Sequence, residues 1–212
     1  LTQNKLSVTR LLPPTSPDEM TVAEDRERLL RMALCASDVH LVDQHYSGDP
    51  LDVAVAQRLA EEVPEQEPLE TSLKHFAFDF TKRRAAGVGS VAGQQIFAVK
   101  GAWEMLRPML TRFWTPGPAS LTATLDMLDE AEAVMSRMAE SGYRVVAVAG
   151  RQLGDKPLAN RSQDELEQDL TLYGFLGIED PLRPEVPQAL ERCHTAGIEV
   201  ILITGDHPDT AL

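Results

Sequence analysis

Residues 74–101 read KHFAFDFTKRRAAGVGSVAGQQIFAVKG, and their period decides the fold class. Apolar and polar residues alternate from Lys74 to Phe80, which places Phe76, Phe78 and Phe80 on one face of a strand. Two further short runs, Ala85 to Val91 and Gln95 to Val99, follow across glycine-containing turns, so the stretch reads as an antiparallel meander. Outward from it the period becomes helical. Upstream, an alternation at Lys5 to Leu11 leads through Pro13-Pro14-Thr15-Ser16-Pro17 into a helix with Leu29, Leu30, Ala33 and Leu34 on one face. Asp49-Pro50 opens a second helix, an acceptor at the cap with proline at the first helical position, and Leu51, Val55 and Leu59 run down one side. Downstream, Leu121, Leu125, Leu128, Ala131, Met135 and Met138 recur at helical spacing, Gly142 lies past the helix end, and Arg144 to Ala149 is a strand. An antiparallel sheet flanked by helices makes the centre α+β.

The C-terminal stretch changes character. Leu172 to Ile178 is a nearly continuous apolar strand, Pro184 to Ala196 a helix with Val186, Leu190 and Cys193 on one side, and Ile198 to Ile203 a second apolar strand. This is a βαβ pattern. It brings Glu179-Asp180-Pro181 and Thr204-Gly205-Asp206 to one carboxyl edge of a parallel sheet, where such folds bind ligands. Aspartate oxygens there suit Mg²⁺, and a threonine hydroxyl beside a glycine amide suits phosphate oxygens. Gly154 to Asp169 is polar and reads as the linker returning to this unit. The expected architecture is an α+β domain at residues 11–168, inserted between two pieces of an α/β domain at 1–10 and 169–212.

With 212 residues, 43% of them hydrophobic, the chain can bury a sizeable core, and disorder is not the default. No apolar run approaches the roughly 20 residues of a membrane helix, and none opens the chain as a signal peptide, so the sequence reads as soluble. A formal charge of −13 argues against nucleic acid as a partner; only Lys82-Arg83-Arg84 breaks the acidity. Cys35 and Cys193 sit far apart in apolar helical patterns, which suits buried thiols in a reducing compartment, and the five histidines follow no metal-ligand spacing. The chain starts at Leu1 without methionine and stops at Leu212 at what reads as a helix start, as an excised piece of a longer protein would.

Six motifs stand in order: GDPLD (48–52), FDFTKRR (78–84), VKGA (99–102), YRVVAVAGR (143–151), IEDPLRPEV (178–186) and ITGDHPDTA (203–211). Together they resemble the P-type ATPases, in particular the cation pumps that move calcium, magnesium, protons or related ions, and the likeness covers nearly the whole chain. Leu1-Thr2 resembles the tail of the family's DKTGTLT signature, which would put the phosphorylated aspartate just upstream. The resemblance implies that the α+β insertion is a nucleotide-binding domain. The bracketing pieces would belong to a phosphorylation domain with a haloacid-dehalogenase-like fold. It also implies a place on the cytoplasmic face of a membrane, beside transmembrane and actuator domains, with ATP and Mg²⁺ as ligands.

Carried over residue by residue, the resemblance has Phe78 stacking on adenine, Lys100 and Gly101 lining the same pocket, and Asp52 near the adenine amino group. Arg83 would face the phosphates and Arg144 would bridge them towards the phosphorylation domain. Asp180, Arg183, Thr204, Gly205 and Asp206 would complete the phosphoryl and Mg²⁺ side. The whole pump would hydrolyse ATP through an aspartyl-phosphate, while this piece would bind Mg·ATP without turning it over. Three departures bear on the pocket: Asp52 where the family often has glutamate, Ala85-Ala86-Gly87 in place of Met-Ser, and Trp103 in place of proline after Lys-Gly-Ala.

Plainer roles compete at each position. Phe78 can pack in a core, Lys82 and Arg84 can solvate a strand edge, and Asp49 can simply cap a helix. Lys100-Gly101 can be a strand exit, Arg144 a surface charge, and Asp180-Pro181 a turn. Two other functions share the fold: a soluble phosphatase of the haloacid-dehalogenase type with a large cap, and a non-catalytic module that has lost ATP binding. The transported ion is not encoded here, because its ligands lie in membrane helices.

Overall fold

A computed structural model describes residues 2–3, 5–64, 73–91, 93–115, 120–154, 161–181 and 183–201. The chain runs β1 (Ser7–Leu12), α1 (Ala23–Cys35), β2 (Val39–Val42), β3 (His45–Gly48), α2 (Pro50–Glu62), β4 (Lys74–Asp79), β5 (Arg84–Val91) and β6 (Gln94–Gly101). It continues with α3 (Trp103–Leu106), a 3-10 turn (Arg107–Met109), β7 (Leu110–Phe113), β8 (Leu121–Thr122), α4 (Leu125–Glu140), β9 (Arg144–Gln152), α5 (Gln163–Leu166), β10 (Leu170–Glu179) and α6 (Val186–Thr195). Eight strands form one mixed sheet in the order β4-β5-β6-β9-β10-β7-β8, with β1 also paired to β10; β2 and β3 form a separate hairpin.

Both faces of the sheet are covered, and consecutive residues serve opposite cores. On one face Leu29, Leu30 and Ala33 of α1 and Val55 and Leu59 of α2 pack on Ile96, Ala98, Val146, Val148 and Leu176. On the other, Trp103 and Leu106 of α3, Ala131 and Val134 of α4, and Leu166 of α5 pack on Phe97, Val99, Ala147, Ala149 and Phe175. A strand buried on both sides has no polar face, which is why β6, β9 and β10 read as nearly unbroken apolar runs. Between the two helices of the first face, Glu62 accepts from Arg26 at 2.9 Å and from Arg58 at 2.8 Å. Burial pushes the Glu62 carboxyl upward, but the hydrogen bonds from Arg58 and Arg26 win and hold it below the usual glutamate range.

The meander is present as β4, β5 and β6. The cap of α2 is formed as its sequence requires, with Asp49 Oδ1 accepting from the Leu51 amide at 2.9 Å and proline opening the helix. Other expectations are corrected. Phe76, Phe78 and Phe80 do not share a face: the register slips between Phe76 and Asp79, so Ala77 and Phe78 together oppose Ala85, and Phe80 lies past the strand end. A bulge of this kind inverts the alternation downstream of it. Leu121 belongs to β8, and α4 starts after Thr124, whose hydroxyl accepts from the Met127 amide at 3.3 Å. The supposed linker contains α5, opened by a capping box in which Ser162 and Glu165 satisfy each other's backbone amides.

The βαβ reading of the C-terminal stretch is also corrected where the structure describes it. β10 runs antiparallel to β9 and to β1 inside the main sheet, and residues 198–201 form no strand, with Ile198, Val200 and Ile201 exposed. A two-sided apolar strand is equally at home in this mixed sheet and in a parallel one, so hydropathy could not separate them. The far edge of β10 is shared: Leu170–Leu172 pair parallel with β7, and residues 175–179 pair antiparallel with β1. Gly174, at φ +150°, sits where one partner gives way to the other, and a Cβ there would lie 2.3 Å from the Leu12 carbonyl oxygen. Gly174→Ala is expected to destabilise the fold by about 1–3 kcal/mol, from left-handed strain and backbone overlap, read as a lowered urea midpoint. Among the described residues no helix is long and apolar enough to cross a membrane.

Candidate functional site

Three of the family-implied residues come together on the face that α1 and α2 cover. In register, Ala85 of β5 pairs with Lys100 of β6, and Lys100 pairs with Val148 of β9. The bulge in β4 brings Phe78 opposite Ala85 and, by alternation from Asp79, onto this same face. Phe78 and Lys100 are therefore two strand spacings apart, about 10 Å, with only the methyl of Ala85 between them. Phe78 is 52% exposed and its ring meets that of Phe80, a residue 88% exposed, edge-on at 5.2 Å. An aromatic residue left half in solvent is the opposite of a packed core position.

Lys100 is the buried partner, 5% exposed. Its ammonium donates to Asp52 Oδ1 on α2 and to the Ser37 hydroxyl just past α1, while Asp52 Oδ2 accepts from the Asp38 amide at 2.8 Å. Burial pulls Lys100 below the usual lysine range; the charge and hydrogen bond of Asp52, and the charge of Asp49, pull the other way. Asp52 thus stands beside the expected pocket with both carboxylate oxygens already engaged.

The basic cluster divides its labour. Arg84, with a side chain 12% exposed, forms a two-pronged ion pair with the buried Glu167, at 2.8 and 2.5 Å, and Lys82 reaches Asp164 of α5 at 2.7 Å. Both pin the β4–β5 turn to the segment around α5, so the solvated-edge reading does not hold for Arg84. Arg83 occupies a left-handed conformation at φ 49°, and its exposed guanidinium lies 3.8 Å from Glu104. The Arg83 carbonyl accepts from the Ala102 amide at 3.1 Å, and a Cβ on Gly101 would stand 2.5 Å from that carbonyl oxygen. Glycine at 101 is what lets the two motif turns close on each other. Trp103, by contrast, is 3% exposed and packs edge-on to Phe175 at 5.6 Å, so this departure fills the core.

Arg144 opens β9, exposed, in register with Ile178 and four residues from Val148 on the same face, about 13 Å along the strand. That end of the sheet is where β1 and β10 leave it side by side. There the Lys5 amide donates to Asp180 Oδ1 at 3.2 Å, the Gln3 amide to the Pro181 carbonyl at 2.9 Å, and Arg183 Nε to the Thr2 carbonyl at 2.8 Å. Asp180 and Arg183 therefore tie the two crossing segments together. Thr204, Gly205 and Asp206 lie outside the described residues. Sequence reasoning missed Ser37, Asp164 and Glu167; only the opposite charge of the last two to the basic cluster could have pointed to them.

A family model described as P-type ATPase, cytoplasmic domain N, matches residues 25–185. Among curated relatives, a calcium-transporting ATPase of Bacillus subtilis is 33% identical over 91% of this chain and 22% of its own length. A plasma membrane calcium-transporting ATPase 4 of Homo sapiens is 32% identical over 73% of this chain and 12% of its own length. The chain thus spans under a quarter of either relative. With the domain-N match running over most of a sheet whose motif residues meet on one face, the chain belongs to the P-type ATPase family.

Proposed function

We propose that this chain is the ATP-binding portion of a membrane cation pump that hydrolyses ATP through an aspartyl-phosphate. The observation that carries the reading is the half-exposed Phe78 set across Ala85 from the buried ammonium of Lys100. Adenine would stack on Phe78 while Lys100 meets an acceptor on the base. Arg83 and Arg144, both exposed, supply positive charge in two directions away from that point, and Arg144 stands at the end where the chain leaves the sheet. A triphosphate lying from the ring towards Arg144 would point its far end at the phosphorylation domain. The residues thus fit ATP as substrate.

Mg²⁺, when bound, would neutralise phosphate charge. The segments 1–10 and 169–212 would lead to the phosphorylation domain, although β1 and β10 within them are strands of the main sheet. On this reading the parent protein's remaining domains would lie beyond Asp180 and before Lys5. Family membership favours the pump over a soluble phosphatase, and the relatives' names support calcium as the cation.

Titration of the chain with ATP, followed by NMR, should shift resonances at Phe78 and Lys100. Phe78→Ala should weaken binding by about 5- to 160-fold, the range that losing one base–aromatic stack implies. A full chain that shows no response to millimolar ATP, or a Phe78→Ala variant that binds unchanged, would overturn the assignment.

A further inference from the structure

The corner around Lys100 contains a residue that neither motif nor spacing singles out. Ser37 is 4% exposed and follows the last turn of α1. Its hydroxyl donates to the Ala33 carbonyl at 2.9 Å, so its own proton is spent and it can meet Lys100 only as an acceptor. Asp52 is in the same position, taking the Asp38 amide on one oxygen and Lys100 on the other. An ammonium carries three N–H groups. Two are fixed by these acceptors, one from the end of α1 and one from α2, and tetrahedral geometry then fixes the direction of the third.

We propose that Ser37 is a positioning residue for nucleotide binding: with Asp52 it seats the Lys100 ammonium so that the remaining N–H is offered to an acceptor on a purine base lying against Phe78. This rests on the nucleotide reading above. It also gives Asp52 a second role, seating Lys100, beside any contact it makes with the base. The charged groups around the ammonium are Asp52 and Asp49 from α2 and its cap; the strand neighbours Ala85 and Val148 carry none. A seat with two acceptors is needed because a buried lysine held by one contact swings on a flexible four-carbon stem.

A double-mutant cycle tests it. ATP affinity is measured for the wild-type chain, Ser37→Ala, Ser37→Thr, Lys100→Met and the Ser37→Ala/Lys100→Met pair, each first shown folded by its amide NMR spectrum. Ser37→Ala should weaken ATP about tenfold, as loss of a hydrogen bond to a charged group implies, and Ser37→Thr should restore most of it. The alanine effect should vanish in the Lys100→Met background, because there is no ammonium left to seat. Wild-type affinity in Ser37→Ala, or an undiminished Ser37→Ala loss in the Lys100→Met background, would overturn the seat while leaving the nucleotide reading standing. A wild-type chain that ignores ATP would sink both.

Discussion

Glu167→Ala is expected to cost up to about 3–5 kcal/mol of folding stability, because it strands the largely buried side chain of Arg84 without its counter-ion. The two side chains are 12% and 3% exposed, and the pair is two-pronged at 2.8 and 2.5 Å. Gln163 Nε2 adds a third donor to Glu167 at 2.6 Å. With Glu167 the Arg84 guanidinium is held above even its usual high range, and without it the intrinsic basicity of arginine keeps the charge in place, so Arg84 cannot escape by losing its proton. Glu167→Gln keeps an oxygen acceptor and should lose less. Arg84→Met together with Glu167→Met should recover much of the stability, since a buried ion pair replaced by packed apolar side chains is often neutral. Urea unfolding of the three variants decides it: a Glu167→Ala midpoint indistinguishable from wild type would mean that water reaches Arg84 and the clamp is dispensable. The clamp has a functional side, because the turn it pins carries Phe80 and Arg83 and adjoins Phe78.

Much of this was legible in the chain and the failures have physical causes. The Asp49-Pro50 cap and the meander rest on local chemistry, and both are present. The β2–β3 hairpin went unread because its turn places Asp43 and Gln44 at φ 48° and 65°, without the glycine or asparagine that usually marks such a turn. The bulge that brings Phe78 onto the face of Lys100 leaves no mark in the KHFAFDF alternation, which would place Phe76 and Phe78 together. β10 was legible as a strand and not as a partner: an apolar run reports that both faces are buried, and says nothing of which neighbours bury them. Lys100, Phe78 and Asp52 were reached through the motifs. Ser37 was not, because a serine after a helix has many uses and only tertiary contact shows this one.

The second large effect is expected at Asp52, and pH gives it a signature that a general packing defect lacks. Asp52→Ala should cost about 3–5 kcal/mol near neutral pH, since Lys100 would then be a buried ammonium whose remaining contact is the Ser37 hydroxyl. Lys100 already titrates below its unfolded value through burial, so between the two values the unfolded chain binds more protons and stability rises with pH. Asp52 opposes that depression, and removing it drives the folded-state value lower still. The window in which stability climbs with pH therefore extends further down in the variant. Its deficit relative to wild type should be largest at the low-pH end of that window and shrink as the pH rises towards the unfolded lysine value of about 10. Asp52→Ala in a Lys100→Met background should show neither the full deficit nor the slope, because the stranded charge is gone. Urea denaturation at several pH values reads both quantities. A deficit that stays constant from pH 6 to pH 10 would show that Asp52 contributes packing or the bond to the Asp38 amide, and not the charge that keeps Lys100 protonated where the base is expected to lie.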